Sequence, residues 1–203
     1  LSGLARRIQG DLPVAEVGEG VLASIGDHLD APVSALFVVT DEGDLQRCAA
    51  RALPSEAETW TRFALGSGSI GQVARSKKMS LFKPNNGAAP ITFGFGQLAP
   101  QQLVTAPLVV DDNLVGVVEL CLFAPLSESQ SQWLTTACRI AAGALRLARQ
   151  AEERAAAEER TRLILESTGD GLFGLDLEGR ATFVNPAACA MLGYSAEELI
   201  GRS

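Results

Sequence analysis

Histidine is all but missing from this chain of 203 residues, with His28 the sole imidazole. One imidazole cannot supply the multi-histidine ligand sets of catalytic zinc or non-haem iron. Beside Asp27 and Asp30 on a helix, His28 reads as a structural or surface residue, so neither a metal site nor a haem or other cofactor is expected. Cysteine is sparse as well. Cys48, Cys121, Cys138 and Cys189 stand singly among apolar neighbours, with no CxxC pair, as small buried hydrophobes in a reducing cytoplasm do. No apolar run reaches the roughly 18 residues of a membrane span, and the start lacks a signal-peptide layout. A cytoplasmic chain without direct membrane contact is therefore expected. Because it begins with Leu1, it reads as a piece of a longer polypeptide, and any anchor of the parent would lie upstream. Basic clusters are absent and the formal charge is −7, which argues against nucleic acid and anionic lipid as main partners.

What is present is a globular composition, 47% hydrophobic, in a chain long enough for one large or two small domains. Its organising feature is a helix expected from Ser127 to Ser167. Ser127-Glu128-Ser129-Gln130 is a capping-box start, and no proline and only one glycine, Gly143, follow before Ser167. At 1.5 Å per residue such a helix spans about 60 Å, more than one small domain needs. Counting sevens, Leu134, Ala141 and Ala148 share one position, and Ala137, Ala144 and Ala151 share its pair. A second row, Trp133, Ile140 and Leu147, lies beside this small-residue seam. One row can pack on the preceding domain while the other faces a partner helix. The expected dimer interface uses the seam (Leu134, Ala137, Ala141, Ala144 and Ala148) together with Leu1, Leu4 and Ile8 at the start of the chain. The charged continuation places Arg154, Glu158 and Arg162 at i,i+4 spacing, which supports a helix with no core beneath it. A surface helix with a solvated tail is the plainer alternative.

Before that helix, Val14, Val17, Val21, Ile25 and Leu29 form the apolar stripe of a helix ending near Pro32. Val33 to Thr40 reads as a buried strand returning through Asp41–Asp44 into Leu45–Leu53. The glycines at 66, 68 and 71 fit the dinucleotide fingerprint. Trp60 to Phe63 is a poor core strand, however, and no acid follows about 20 residues on, so a glycine turn feeding a helix from Ser69 to Lys77 is the better reading. Met79 to Phe82 is a short strand, and Pro84 to Pro100 a loop rich in Gly, Asn and Phe, long enough to fold over a cavity. A small ligand there would touch Phe82, Asn85, Phe93, Phe95 and Thr105. Val104–Val110 and Leu114–Phe123 form a hairpin about Asp111-Asp112-Asn113, with Glu119 either a pocket acid or an exposed one. After the long helix, Asp170–Asp176 and Arg180–Asn185 flank a turn, Asn185-Pro186 opens a helix, and Ser195–Glu198 is a second capping box.

Three segments of this chain resemble a GAF domain: the Ala-Pro-Val-Ser-Ala-Leu-Phe-Val strand from Ala31, the Gly-Ser-Gly-Ser-Ile-Gly-Gln-Val-Ala segment from Gly66, and Val115-Gly116-Val117-Val118-Glu119-Leu120 followed by Pro125-Leu126-Ser127-Glu128. The tail, with Asp170-Gly171-Leu172-Phe173, Asn185-Pro186-Ala187 and Leu192-Gly193-Tyr194-Ser195, resembles the opening of a PAS domain. The resemblance implies an α+β fold, a central antiparallel sheet with helices on one face and a ligand cavity under loops on the other. A long C-terminal connector helix and an incomplete PAS fragment complete it. The expected divisions are 1–12, the end of a leading helix; 13–126, a GAF-like sensory domain; 127–167, the signalling helix; and 168–203, the PAS start.

The resemblance further implies a sensory and dimerisation module of a bacterial signalling protein, a sensor histidine kinase or a diguanylate cyclase, paired as a parallel homodimer. No cysteine is followed by histidine, as bilin-binding relatives require, and the Asn-Lys-Phe-Asp-Glu pattern of cyclic-nucleotide binders is absent. The clustered cysteines of GAF-fold methionine sulfoxide reductases are absent too. No catalytic residue is expected in this chain. A ligand-free spacer and a GAF-fold enzyme are the competing readings.

Overall fold

The computed structural model describes residues 1–53, 60–84, 91–93 and 96–202, with the backbone alone at 92, 93 and 96–98. Helix α1 (Ser2–Arg7) is followed after Pro13 by helix α2 (Val14–Leu29), which ends on Asp30 in the left-handed region, φ 53°. Aspartate tolerates that conformation better than most residues. Strands β1 (Val33–Val39) and β2 (Leu45–Arg51) form the expected hairpin. A two-residue strand β3 (Arg62–Phe63) then joins β2, so the stretch that reads as a poor core strand becomes a short edge. Helix α3 (Gly68–Ser76) and strand β4 (Ser80–Phe82) follow. The segment expected as a bare loop holds a small hairpin, β5 (Ile91–Phe93) and β6 (Gly96–Leu98). Strands β7 (Gln102–Val110) and β8 (Asn113–Leu122) meet at Asp111 and Asp112, both with positive φ (49° and 58°). Two left-handed residues in succession give the turn whose twist matches a hairpin.

The sheet is antiparallel, in the order β3-β2-β1-β8-β7-β4. Successive side chains of a strand point to opposite faces, and the core divides accordingly. Leu36, Val104, Leu108, Val118 and Leu120 pack with α1, α2 and the first half of helix α4 (Glu128–Ser167). Phe37, Leu45 and Val117 pack with Ile70 and Val73 of α3, which lies on the other face. At Gly116 of β8 the backbone of β1 leaves no room for a side chain. A Cβ there would stand 2.2 Å from the Phe37 carbonyl oxygen.

The chain forms two compact units, Leu1–Ala151 and Glu152–Ser203, which divide inside α4. The second holds the last turns of α4, a hairpin of β9 (Phe173–Leu175) and β10 (Ala181–Val184), and helices α5 (Pro186–Leu192) and α6 (Ala196–Leu199). Both capping boxes form. The Ser127 amide donates to Gln130 Oε1 at 3.0 Å and the Gln130 amide to Ser127 Oγ at 3.3 Å. Ser195 and Glu198 exchange the same pair of bonds.

Candidate functional site

On the α3 face of the sheet, one cross-strand row runs Ala50, Ala35, Glu119, Thr105, Ser80 from β2 to β4. Directly paired residues project to the same side, so Glu119 is a lone carboxylate among short side chains. Its Oε1 accepts a bond from Ser69 Oγ at 2.8 Å and another from Thr105 Oγ1 at 3.1 Å. Ser69 stands in the first turn of α3, and Thr105 is only 2% exposed. Two residues along β8, burial and then the Glu119 charge push the Cys121 thiol up to about 11. Glu119 is half-buried on this face. Ser69, its partner, carries no signal in the sequence beyond its place in the glycine turn.

Of the residues expected to touch a ligand, Thr105 and Phe82 share this face. Phe82 pairs with Leu103 two positions from the Ser80–Thr105 pair, and it is 56% exposed. Asn85 and Phe95 lie outside the described residues, as does the side chain of Phe93.

The helices on the opposite face correct the expected dimer seam. Leu134, Ala137, Ala141 and Ala148 are buried in the molecule's own core with Cys138, Ala142 and Leu145, and Leu4 and Ile8 join them. Ala144 is partly buried against the same core, and of the expected interface only Leu1 is exposed. Small side chains let α4 lie close to its own domain, so the seam is used there and is closed to a partner. In the other row only Leu147 is open, since Trp133 and Ile140 pack partly against the same core. Trp133 and Ile140 are half-buried and Leu147 is 65% exposed. Trp133 stacks on His28 of α2, ring centroids 3.8 Å apart, which gives the lone imidazole a structural role. Asp27, beside it, bridges Arg7 of α1 at 3.1 Å and Arg51 of β2 at 3.0 Å, and these bonds hold its carboxyl below the usual range, Arg51 most. Arg146 pairs with Asp111 at 2.7 Å and Arg149 with Asp41, tying α4 to two hairpin turns where it leaves the core. From Ala151 to Ile164 every α4 residue is exposed.

Residues 11–146 match the GAF domain family, and residues 159–203 match the PAS fold. The chain belongs to the GAF domain family. Among solved structures, the GAF domain of an Acinetobacter phosphoenolpyruvate-protein phosphotransferase is similar at TM-score 0.59 and 13% identity, covering 74% of this chain and 92% of that one. The second GAF domain of DevS from Mycobacterium smegmatis is similar at TM-score 0.54 and 20% identity, over 70% of this chain and 99% of that one. Free methionine-R-sulfoxide reductase from Neisseria meningitidis, solved with its substrate, is similar at TM-score 0.56 and 17% identity, over 73% and 86%. No curated protein sequence matches the chain.

The GAF domain thus presents two surfaces of different chemistry, the Glu119 face under α3 and the Trp133–Leu147 row of α4. In the PAS-type unit one residue ties several pieces together. Asn185 is fully buried, and its Nδ2 donates to the carbonyls of Leu165 (3.0 Å) and Asp170 (2.9 Å). Its Oδ1 accepts from the amides of Leu172 (2.8 Å) and Ala188 (2.9 Å). An asparagine side chain has two donors and one two-lone-pair acceptor, and here all are used. One of the bonds satisfies a carbonyl near the end of α4, where helix carbonyls lack intrahelical partners. A groove of about 630 Å³ lies in the same unit, walled by Ala157, Thr161, Leu165, Phe183, Val184 and Cys189 among others.

Proposed function

We propose that this chain is the sensory and dimerisation part of a bacterial signalling protein, a sensor histidine kinase by preference. In this reading the GAF domain senses a small molecule on its Glu119 face and passes its state along α4 to the PAS-type unit. The single observation that carries it is the bare stretch of α4. A helix that leaves a packed core and continues with every residue exposed from Ala151 to Ile164 buries no side chain along that stretch. Most helical stability in proteins comes from tertiary packing, so a bare helix that persists points to a partner helix or a transmission role. The i,i+3 and i,i+4 pairs of Arg154 with Glu158 and of Arg162 with Glu159 and Glu166 hold it in the meantime. In the dimer the helices run parallel and meet through Trp133, Ile140 and Leu147.

A cysteine nucleophile at Cys48, Cys121 or Cys138 is disfavoured by the burial of their thiols. Burial pushes Cys48 and Cys138 up to about 12, and Cys121 stands near 11. A nucleophilic cysteine needs its pKa lowered. The decisive experiment is a series of helical insertions between Gln150 and Glu159 in the full-length parent, with output measured against insert length. Output that follows helical phase supports transmission, and a flat series removes it.

A further inference from the structure

Glu119 is the one charge inside an otherwise apolar strand, Asn-Leu-Val-Gly-Val-Val-Glu-Leu-Cys-Leu. A strand in this position favours a β-branched or aromatic residue, and a half-buried carboxylate loses hydration that something must replace. Ser69 and Thr105 replace part of it, but both are neutral and both bond the same oxygen, Oε1. The first turn of α3 adds only a fraction of a positive charge. No lysine, arginine or histidine among the described residues forms an ion pair with Glu119. The internal stretches outside the described residues lie within 54–59 and 85–98, which contain none of the three. The carboxylate is thus oriented by two hydroxyls, stands between its cross-strand partners Ala35 and Thr105, and has no counter-charge among the described residues. Arrangements that need only to pin α3 to the sheet have no use for the charge, since a glutamine accepts the same two bonds.

From this we infer that the Glu119 face binds a small molecule through a protonated amine or amidine, whose N–H groups pair with Glu119 Oε2, an oxygen that takes no hydrogen bond from the described residues. A charge-assisted bond of this kind in a half-buried site is stronger than a neutral one, and the ligand supplies the cation that the chain omits. Phe82, exposed on the same face, gives the amine's apolar portion a surface to lie on. The inference rests on the reading of this face as the sensing one and adds the class of ligand it takes.

Benzylamine, benzyl alcohol and benzoate are suitable probes because they share a ring and differ in charge. Each is titrated into the uniformly ¹⁵N-labelled chain, and amide shifts are followed. Benzylamine is expected to shift the amides of Ser69, Thr105 and Glu119 and their neighbours, with at least about tenfold tighter binding than the alcohol or the acid, a factor worth about 1.4 kcal/mol. Glu119→Gln keeps both hydroxyl bonds and the fold but is expected to lose that preference. Ser69→Ala, which keeps the charge, is expected to retain most of it. Three results overturn the inference: equal binding of benzoate, no change on Glu119→Gln, or no shift on this face with any probe. Binding of the alcohol or the acid at the same amides would leave the sensing face intact and remove only the amine, whereas helix transmission stands or falls separately on the insertion series.

Discussion

At the scale of single residues, two glycines carry opposite demands. Gly116 has no room for a methyl group, because the Phe37 carbonyl oxygen of the neighbouring strand occupies the space. Gly116→Ala is expected to cost about 1–3 kcal/mol or more, as overpacking against backbone does. Gly143 lies inside α4 with nothing within 4 Å of its Cβ direction, so Gly143→Ala is expected to add up to about 1 kcal/mol through helix propensity. Urea denaturation of the two variants checks both signs. The sequence marks Gly143 as an oddity in a long helix but says nothing of Gly116, because interstrand crowding depends on pairing and not on neighbours in the chain.

Cys138 makes a second prediction at this scale. Buried in the fold, it stays protonated to about pH 12, while an unfolded thiol loses its proton near its ordinary 9.0. Its folded pKa is raised, so its contribution is fully present below about pH 9 and drains away as pH climbs toward 12. Urea midpoints should therefore fall as pH rises from about 9 toward 12, and Cys138→Ala should flatten part of that fall. Identical slopes for the two proteins would show that the thiol takes no part in the loss.

Among the elements, α4 shows what periodicity reveals and what it hides. The count of sevens finds both rows of the helix, its start at the Ser127–Gln130 box and its long run, and all of these are present. The same count cannot tell which row faces the sheet. That is settled by how closely the helix must approach β8 and α2, and alanines permit the closest approach. The seam was therefore legible as a contact surface, though not as to whose. Two substitutions separate the possibilities. Ala141→Glu puts a charge at a fully buried position and is expected to unfold the first unit, since a buried unpaired charge costs several kcal/mol. Leu147→Glu is expected to leave thermal stability nearly unchanged and to dissociate the proposed dimer. Light scattering with a melting curve reads both outcomes, and a wild-type chain that stays monomeric at high concentration would remove the dimer itself. The Glu119 face was half legible in the same way. Glu119 was visible as a lone acid in an apolar strand, whereas Ser69 arrives from fifty residues away by way of a helix packed on the sheet.

Across the whole molecule, the relation between sensing and output reduces to helical geometry. Each residue inserted into the bare stretch of α4 turns all that follows by about 100° and advances it by about 1.5 Å. Seven residues come within about 20° of restoring the phase, a drift that supercoiling absorbs. Insertions of one to four residues in the parent are expected to lock its output on or off, and seven to preserve it largely. A flexible tether would show only a weak dependence on length. The bare stretch has a further consequence for how such proteins arise. A genetic crossover falling at the division between the two units, at the codons for Ala151 and Glu152, separates no pair of buried core residues among those described. What such a crossover must conserve is the reading frame of the heptad as well as that of the codon. New sensors can then be assembled from old halves wherever two genes share both frames.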